Sequence, residues 1–515
     1  VAEIALAGSD VTLEPSLVDG ADVIILWGPA WSLRFGFRLL AELRRRAPRR
    51  VVIVHGHEAA QPPQPAAVAL GAVTLTPAAI RCPFTVAEVS DGRDPASLVE
   101  VALTELSGEG GEVRLESGNR WKRQLTLALA RIGGVGPDRP PFDVDGPWIV
   151  TGGLGALGRL LARHLAERFH AGLVLTGRSA PSQESERVVA EFRSVGAAHC
   201  EYRQLDVTDA QAVASLMGDV RARLGRIGGV IHAAGVADGR PWFDKADADI
   251  DSVLAPKVLG VRALDEATST DDLAAFVVFS SASSALGGMG LDDYAAANRY
   301  LDAYVRELRR SAGQRRGRSV SIAWPLWRDG GMHVTNESLY LGASGLDYLE
   351  TDDALAAFDA VMASDLSHVV VLSGTHEALV RITTPQEGNA EMSEAAQDAG
   401  EPVTDHAENT EIVNDADVLV PWVSERLGAA MAAEVLTVQP ADIDPHENLG
   451  SYGFDSITLK ELTRAVQEQL GVVVTPTVFY TYPTLDSVAE FIVRDDPDGI
   501  GVARQGRETS PHPPA

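Results

Sequence analysis

Trp148-Ile-Val-Thr151-Gly-Gly-Leu-Gly-Ala-Leu-Gly158 runs from an apolar stretch straight into a glycine-rich turn, and the residues that follow to Phe169 carry apolar side chains at helical spacing. Gly153, Gly155 and Gly158 satisfy the pattern GxGxxG. Alone, that pattern fits many flexible loops. Between a strand and a helix it describes a turn that lets the backbone approach a pyrophosphate, whose charge is met by free N–H groups and the positive end of the helix dipole. Thr151, Gly152, Gly153, Leu154, Gly155, Ala156, Leu157 and Gly158 are therefore expected to hold a dinucleotide.

Outward from this turn, the runs LVLTGR, CEYRQLDV, GGVIHAAG, LAAFVVFSS, RSVSIAWP and HVVVLSG alternate with helical or loop segments, which is the sequence form of a doubly wound parallel sheet. After the second strand, where an NAD enzyme places an acidic residue on the ribose hydroxyls, stand Arg178 and Ser179. A guanidinium there can hold a 2′-phosphate through two parallel hydrogen bonds, which favours NADPH. Asp206 and Val207, and the small-residue turn Ala233-Ala234-Gly235, lie where the next strands end and are expected to border the adenine and ribose; structural turns would look the same. Upstream, ADVIILWG and RRVVIVHG flank a helical stretch ending near Arg46, but neither strand leads into a glycine-rich turn. The N-terminal part therefore reads as a Rossmann-like half without cofactor apparatus.

With 515 residues the chain exceeds what one core usually organises. Its apolar share of 45% and charged share of 23% fit a globular protein, and no apolar run nears the roughly 20 residues needed to cross a bilayer, which argues against a membrane protein. The net charge of −28 and pI near 4.8 argue against nucleic acid, whose phosphates attract basic faces. Cys82 and Cys200 are too few for a disulfide framework or a structural zinc site, so no metal and a cytoplasmic location are expected. The chain starts with Val and shows no signal-peptide pattern, as an excised fragment would.

Hydride delivery to a ketone leaves negative charge developing on oxygen, so a site for it needs a proton donor and a means of lowering that donor's pKa. The segment from Phe279 to Asn298 offers hydroxyls at a strand end, then Tyr294 and Asn298 four apart on one helical face. Singly, each has a bland reading: a half-buried helix tyrosine, a strand-end cap, a solvated lysine.

Together TGGLGALG, VIHAAG, APKVLG, VFSSAS and YAAANRYLDAY resemble the ketoreductases of modular polyketide synthases, members of the short-chain dehydrogenase family. The resemblance implies Tyr294 as general acid, Ser281 as the hydroxyl on the substrate carbonyl, Lys257 as electrostatic aid to Tyr294 and Asn298 as organiser of a proton-relay water. Asn298 stands where most short-chain dehydrogenases have lysine, an exchange typical of polyketide ketoreductases. Ser280, Ser283 and Ser284 compete with Ser281, which is preferred because its spacing to Tyr294 matches the family. The N-terminal half resembles the truncated structural half that precedes such ketoreductases, including Trp27 and the Arg120-Trp121 region.

In Leu449-Gly-Ser-Tyr-Gly-Phe-Asp-Ser456-Ile a serine opens a helix. This resembles the phosphopantetheine attachment motif of acyl carrier proteins, with Asp455 favouring an acyl over a peptidyl carrier; Ser456 or Asp455 as a simple helix cap is the bland alternative. The expected organisation is a structural subdomain over 1–140, a catalytic NADPH-binding subdomain over 141–382, an acidic flexible linker over 383–414, a four-helix carrier domain over 415–498 and a disordered tail over 499–515.

The function expected is NADPH-dependent reduction of a β-ketoacyl thioester tethered through 4′-phosphopantetheine at Ser456. The alternative is an inactive scaffold for the carrier. Expected partners are neighbouring synthase domains, namely a ketosynthase and a separately supplied acyltransferase, together with a phosphopantetheinyl transferase. The separate acyltransferase follows from the phrases WPLWRDGGM and GFDSI, which look like those of trans-acyltransferase synthases. By the same resemblance, Gly239 occupies the place of the aspartate that marks one product configuration and Leu286 that of the other's tryptophan, leaving a lean to the L-hydroxy product.

Overall fold

The computed structural model describes residues 145–287 and 291–310 without a break, together with most of 18–126, 316–384 and 416–504. These form two compact units, one containing two β-sheets and the other the helices from His376 onward.

The seven-stranded sheet contains β6 (Pro147–Thr151), β7 (Gly172–Gly177), β8 (His199–Gln204), β9 (Gly229–His232), β10 (Asp272–Ser281), β11 (Arg316–Trp324) and β12 (His368–Val370). Its order is β12-β11-β10-β9-β6-β7-β8, with every pair parallel. Parallel strands need crossovers, supplied here by α4 (Ala156–Phe169), α5 (Gln183–Ser194), α6 (Ala210–Leu224), α7 (Asp247–Ala267), the short α8 (Ser283–Leu286) with α9 (Asp292–Arg310), and α10 (Thr351–Ala363). Helices on both faces explain why the central strands read as apolar runs: Trp148, Ile149, Val150, Val277 and Val278 are fully buried.

The N-terminal sheet is β1 (Asp22–Leu26), β2 (Arg50–Gly56), β3 (Phe84–Val89), β4 (Gly111–Glu116) and β5 (Asn119–Lys122), in that order, with β5 the antiparallel edge. Helices α1 (Leu33–Arg45), α2 (Pro65–Leu70) and α3 (Pro95–Glu105) accompany it. Ser32 caps α1 by accepting the Phe35 N–H at 3.2 Å. Sequence reasoning found β1, α1 and β2 here and did not reach the fully buried β3 or the half-buried and exposed β4 and β5.

The two halves join through aromatic packing and ion pairs. Trp242 is fully buried with its ring centre 5.4 Å from that of Phe37 on α1. Arg299 on α9 pairs with Glu112, and Arg306 with Glu88 at 3.3 Å. A cavity of about 280 Å³ at this joint is lined by Glu88, Glu112, Arg299, Asp302, Arg306 and His368; the two arginines pair with Glu112 and Glu88, and His368 Nε2 lies 3.4 Å from an Asp302 oxygen.

The helical unit contains α11 (His376–Thr383), α12 (Ala416–Ala430), α13 (Ser456–Leu470) and α14 (Leu485–Asp495). Leu419, Val423, Leu427, Leu462, Val466, Phe479, Val488 and Ile492 make its core. Residues 385–414 of the expected linker, and 499, 502 and 505–515 of the expected tail, lie outside the described residues; Ile500, Gly501, Ala503 and Arg504 at the start of that tail are helical where disorder was expected. No helix among the described residues is long and apolar enough to cross a membrane, and they hold no cluster of three or more metal-ligating side chains.

Candidate active site

Strand order reverses between β6 and β9, and the crevice at their carboxyl ends is where a doubly wound sheet binds its ligand. The turn after β6 requires its glycines: Gly152 has a φ of +69°, and a Cβ on Gly158 would fall 2.3 Å from the Gly152 carbonyl oxygen. Gly155 is the N-cap of α4 and no side chain caps the turn, so the first N–H groups of the helix are left for an anion. That feature fits a pyrophosphate. Leu154, Ala156 and Leu157 are half-buried along the turn. Gly331 passes over the start of α4, where a Cβ would lie 3.0 Å from that of Ala156. Of the segment 330–349 that follows, 332–340 and 342–343 lie outside the described residues.

Arg178 and Ser179 follow β7 and are exposed. Asp206, beyond β8, accepts the Thr208 N–H at 2.9 Å and hydroxyl at 2.7 Å; these bonds, with the Arg178 charge, hold its carboxyl below the usual range. The exposed Arg178 guanidinium is the group here whose charge suits a 2′-phosphate. Val207 is buried beside Gly260 of α7.

Ala233, Ala234 and Gly235 follow β9, and a polar chain fastens them that the sequence did not reveal. The Ala234 N–H donates to the Thr151 hydroxyl at 3.4 Å, Thr151 to His232 Nδ1 at 2.7 Å, and His232 Nε2 to the Pro256 carbonyl at 3.0 Å. A carbonyl only accepts, so Nε2 carries the ring proton and Nδ1 accepts. Burial, then the nearby Lys257 charge, push His232 down to about 3, which keeps it neutral. Only the strand register, which sets Thr151 opposite His232, could have found this link.

Tyr294 stands in the first turn of α9 and is buried. Asn298, one turn on and fully buried, donates through Nδ2 to the Tyr294 carbonyl at 2.7 Å; its Oδ1 is buried and has no hydrogen-bond partner among the described residues. Lys257 rises from α7 beside Gly235, donates to the Phe279 carbonyl at 2.9 Å and sits 6.0 Å from the centre of the Tyr294 ring. Burial lowers its pKa to about 8 despite the charge of Asp302. Burial raises the Tyr294 hydroxyl, and the polar side chains of Asn298 and Ser281 pull the other way.

The competing serines separate cleanly. Ser280 is buried and donates to the Asn298 carbonyl at 3.2 Å, and Ser284 is buried and donates to Asp302 at 2.6 Å. Ser283 donates to Ser281 at 3.0 Å. Ser281, half-buried at the end of β10, accepts that bond and the Ser283 N–H, which leaves its own proton to give. The structure thus gathers Tyr294, Ser281, Lys257 and Asn298 from three elements into one neighbourhood.

In the helical unit Ser456 is the first residue of the fifteen-residue α13, where helical N–H groups have no internal partner and suit a phosphate ester. Asp455 lies outside the described residues.

A doubly wound sheet with this turn and a buried tyrosine beside lysine and serine defines a dinucleotide-dependent reductase. Residues 146–329 match the family model "KR domain", and 429–492 match "Phosphopantetheine attachment site". The chain is similar to the polyketide synthase PksN of Bacillus subtilis, 32% identical over 79% of this chain and 7% of that protein. It is similar also to ThaG of Burkholderia thailandensis, 33% identical over 91% of this chain and 9% of that one. It thus spans less than a tenth of the length of these curated relatives. Among solved structures, a ketoreductase domain from the bacillaene assembly line aligns with TM-score 0.61 and 26% identity, covering 73% of this chain and 97% of that one. The first-module ketoreductase of phoslactomycin biosynthesis aligns with TM-score 0.60 and 27% identity, over 73% and 87%. The chain therefore carries a ketoreductase domain and a carrier domain of the polyketide-synthase kind. Ketoreductase domains are oxidoreductases that use NADPH, and the attachment domain carries 4′-phosphopantetheine.

Proposed function

We propose that this chain reduces a β-ketoacyl thioester, held on phosphopantetheine at Ser456, to the β-hydroxyacyl thioester during polyketide assembly. The observation that carries the reading is the buried Tyr294 hydroxyl beside Ser281, with the Lys257 ammonium 6.0 Å from its ring. When bound, NADPH supplies the hydride, held by the turn from Thr151 to Gly158, by Arg178, Ser179 and Asp206, and by the segment Ala233–Gly235. Ser281 donates to the substrate carbonyl oxygen and fixes its position. Tyr294 gives its proton to that oxygen as charge develops there. The Lys257 charge favours the tyrosinate left behind, and the buried Asn298 Oδ1 accepts from a water that returns the proton. With these four groups intact, the scaffold reading is not favoured. The direct test is NADPH oxidation by the whole chain on adding a β-ketoacyl thioester of N-acetylcysteamine, a diffusible stand-in for the tethered chain; no oxidation overturns the reading.

Two further results are expected. With pKa about 8, Lys257 is mostly charged at pH 7 and loses its proton as pH rises. The charged form is the useful one, so kcat/KM, which reports the free enzyme, should fall above pH about 8. The Tyr294 hydroxyl titrates higher, so the lysine limb comes first. In Lys257→Met that limb should vanish from a uniformly slower profile. Secondly, Arg178→Ala should lower the preference for NADPH over NADH by about 10- to 100-fold, the worth of one charge-assisted bidentate contact. An unchanged ratio of kcat/KM values would remove Arg178 from the 2′-phosphate.

The boundaries read from the sequence, with a structural half to about residue 140, a catalytic half to 382 and a carrier over 415–498, are part of this proposal. So are a neighbouring ketosynthase, a separately encoded acyltransferase, an activating phosphopantetheinyl transferase, a cytoplasmic location and the L-hydroxy product. Similarity to synthases such as PksN and ThaG supports the setting, and the phrases WPLWRDGGM and GFDSI support the separate acyltransferase.

A further inference from the structure

One fully buried ion pair lies against the active site and has no part in the mechanism above. Lys245 Nζ donates to Asp293 Oδ2 at 2.6 Å, and both side chains are shielded from solvent. Asp293 is the residue before Tyr294, and its other oxygen, Oδ1, accepts the Tyr294 backbone N–H at 2.9 Å. That N–H belongs to the first turn of α9, where the helix supplies no carbonyl for it. The carboxylate therefore does two things: it closes the helix turn that carries the tyrosine, and it is pinned by an ammonium from elsewhere in the chain.

Lys245 is itself held firmly. It ends the short 3-10 turn Trp242–Asp244, and its N–H bonds the Trp242 carbonyl at 3.2 Å. Trp242 is fully buried against Phe37 of α1, and Phe243 beside it lies under the guanidinium of Arg44, 4.0 Å from the ring centre. A continuous path of packed and hydrogen-bonded groups thus leads from the N-terminal half, which has no cofactor turn, through Trp242, Lys245 and Asp293 to the backbone of Tyr294. Asp238, in the loop after β9, faces the same lysine and adds its own charge there.

A buried ion pair is poor evidence of added stability, because desolvating two charges offsets their attraction. Its directional bonds, however, fix where both partners sit. We propose that Lys245 and Asp293 are positioning residues for Tyr294, fixing the first turn of α9 so that the tyrosine hydroxyl meets the substrate oxygen. The inference rests on the reading of Tyr294 as proton donor. A displacement of about 1 Å at a reacting group lowers rate by about a hundredfold, so the effect falls on kcat.

The test uses the whole chain and the N-acetylcysteamine thioester. Removing one partner alone would strand a buried charge and could unfold the protein, so the pair is neutralised together. Lys245→Met with Asp293→Asn keeps an oxygen for the Tyr294 N–H but no ion pair; Lys245→Met with Asp293→Leu removes both. For variants with wild-type circular dichroism, the expected result is a 10- to 100-fold fall in kcat, larger with Leu than with Asn, with KM and the NADPH dissociation constant within about threefold of wild type. Either folded variant turning over at the wild-type kcat overturns the proposal, and so does a parallel loss of NADPH affinity and kcat, which marks a general loosening. Failure of the underlying reading is separately visible, since then Tyr294→Phe would be as active as wild type.

Discussion

Tyr294→Phe is expected to lower kcat for thioester reduction by about 10²- to 10⁴-fold while NADPH binding stays within about twofold of wild type. The rate loss corresponds to about 3–5 kcal/mol of barrier, the share a positioned general acid contributes. The fold should survive. The lost hydroxyl costs on the order of 1 kcal/mol, because the ring stays buried on α9 and the backbone bonds to Asp293 and Asn298 do not involve the phenol. Stopped-flow NADPH oxidation checks the rate, and cofactor fluorescence checks binding. Undiminished turnover would remove Tyr294 from proton transfer. A loss confined to KM would instead make the hydroxyl a substrate contact of equal worth in ground and transition states.

Much of the catalytic half was legible because its signals are local. The central strands announced themselves as short apolar runs, since a parallel sheet covered on both faces demands them there, and the turn from Thr151 to Gly158 is forced by close backbone contacts. What escaped depended on register and on residues far apart in sequence. His232 acquires its partners only because β6 and β9 are neighbours, although some 80 residues separate Thr151 from it. Lys245 reads as an ordinary surface lysine until the turn at Trp242 folds it against Asp293. The choice among four serines could be made from spacing alone by resemblance, but its physical reason is visible only in space: the others give their protons to the Asn298 carbonyl, Asp302 and Ser281 itself. In the N-terminal sheet β4 and β5 gave little signal because they are half-buried or exposed and mix charged with apolar residues.

Ser456→Ala is expected to abolish phosphopantetheine loading altogether, the largest effect foreseen, while reduction of the diffusible thioester proceeds at the wild-type rate. Loading joins the serine oxygen to the phosphorus of the phosphopantetheine group as the pyrophosphate bond of coenzyme A breaks; 3′,5′-ADP leaves and the hydroxyl gives up its proton, so alanine, with no oxygen, offers no residual route. The other serines of the carrier are committed locally. Ser424 donates to Asp486, Ser451 donates to the Asn448 carbonyl at 2.6 Å, and Ser487 exchanges bonds with Thr484 at the start of α14. Ser456 alone among these opens a long helix whose first N–H groups can meet a phosphate. Intact-mass spectrometry after incubation with coenzyme A and a phosphopantetheinyl transferase should show one added group on the wild type and none on the variant. Reductase activity is untouched because the sheets and the helical unit have separate cores, and an Ala at the first turn costs at most about 1 kcal/mol of helix stability. Added mass on the variant would move the attachment elsewhere. None on the folded wild type would make the carrier unit inert, and the substrate would then reach the reductase either free in solution or on another chain's carrier.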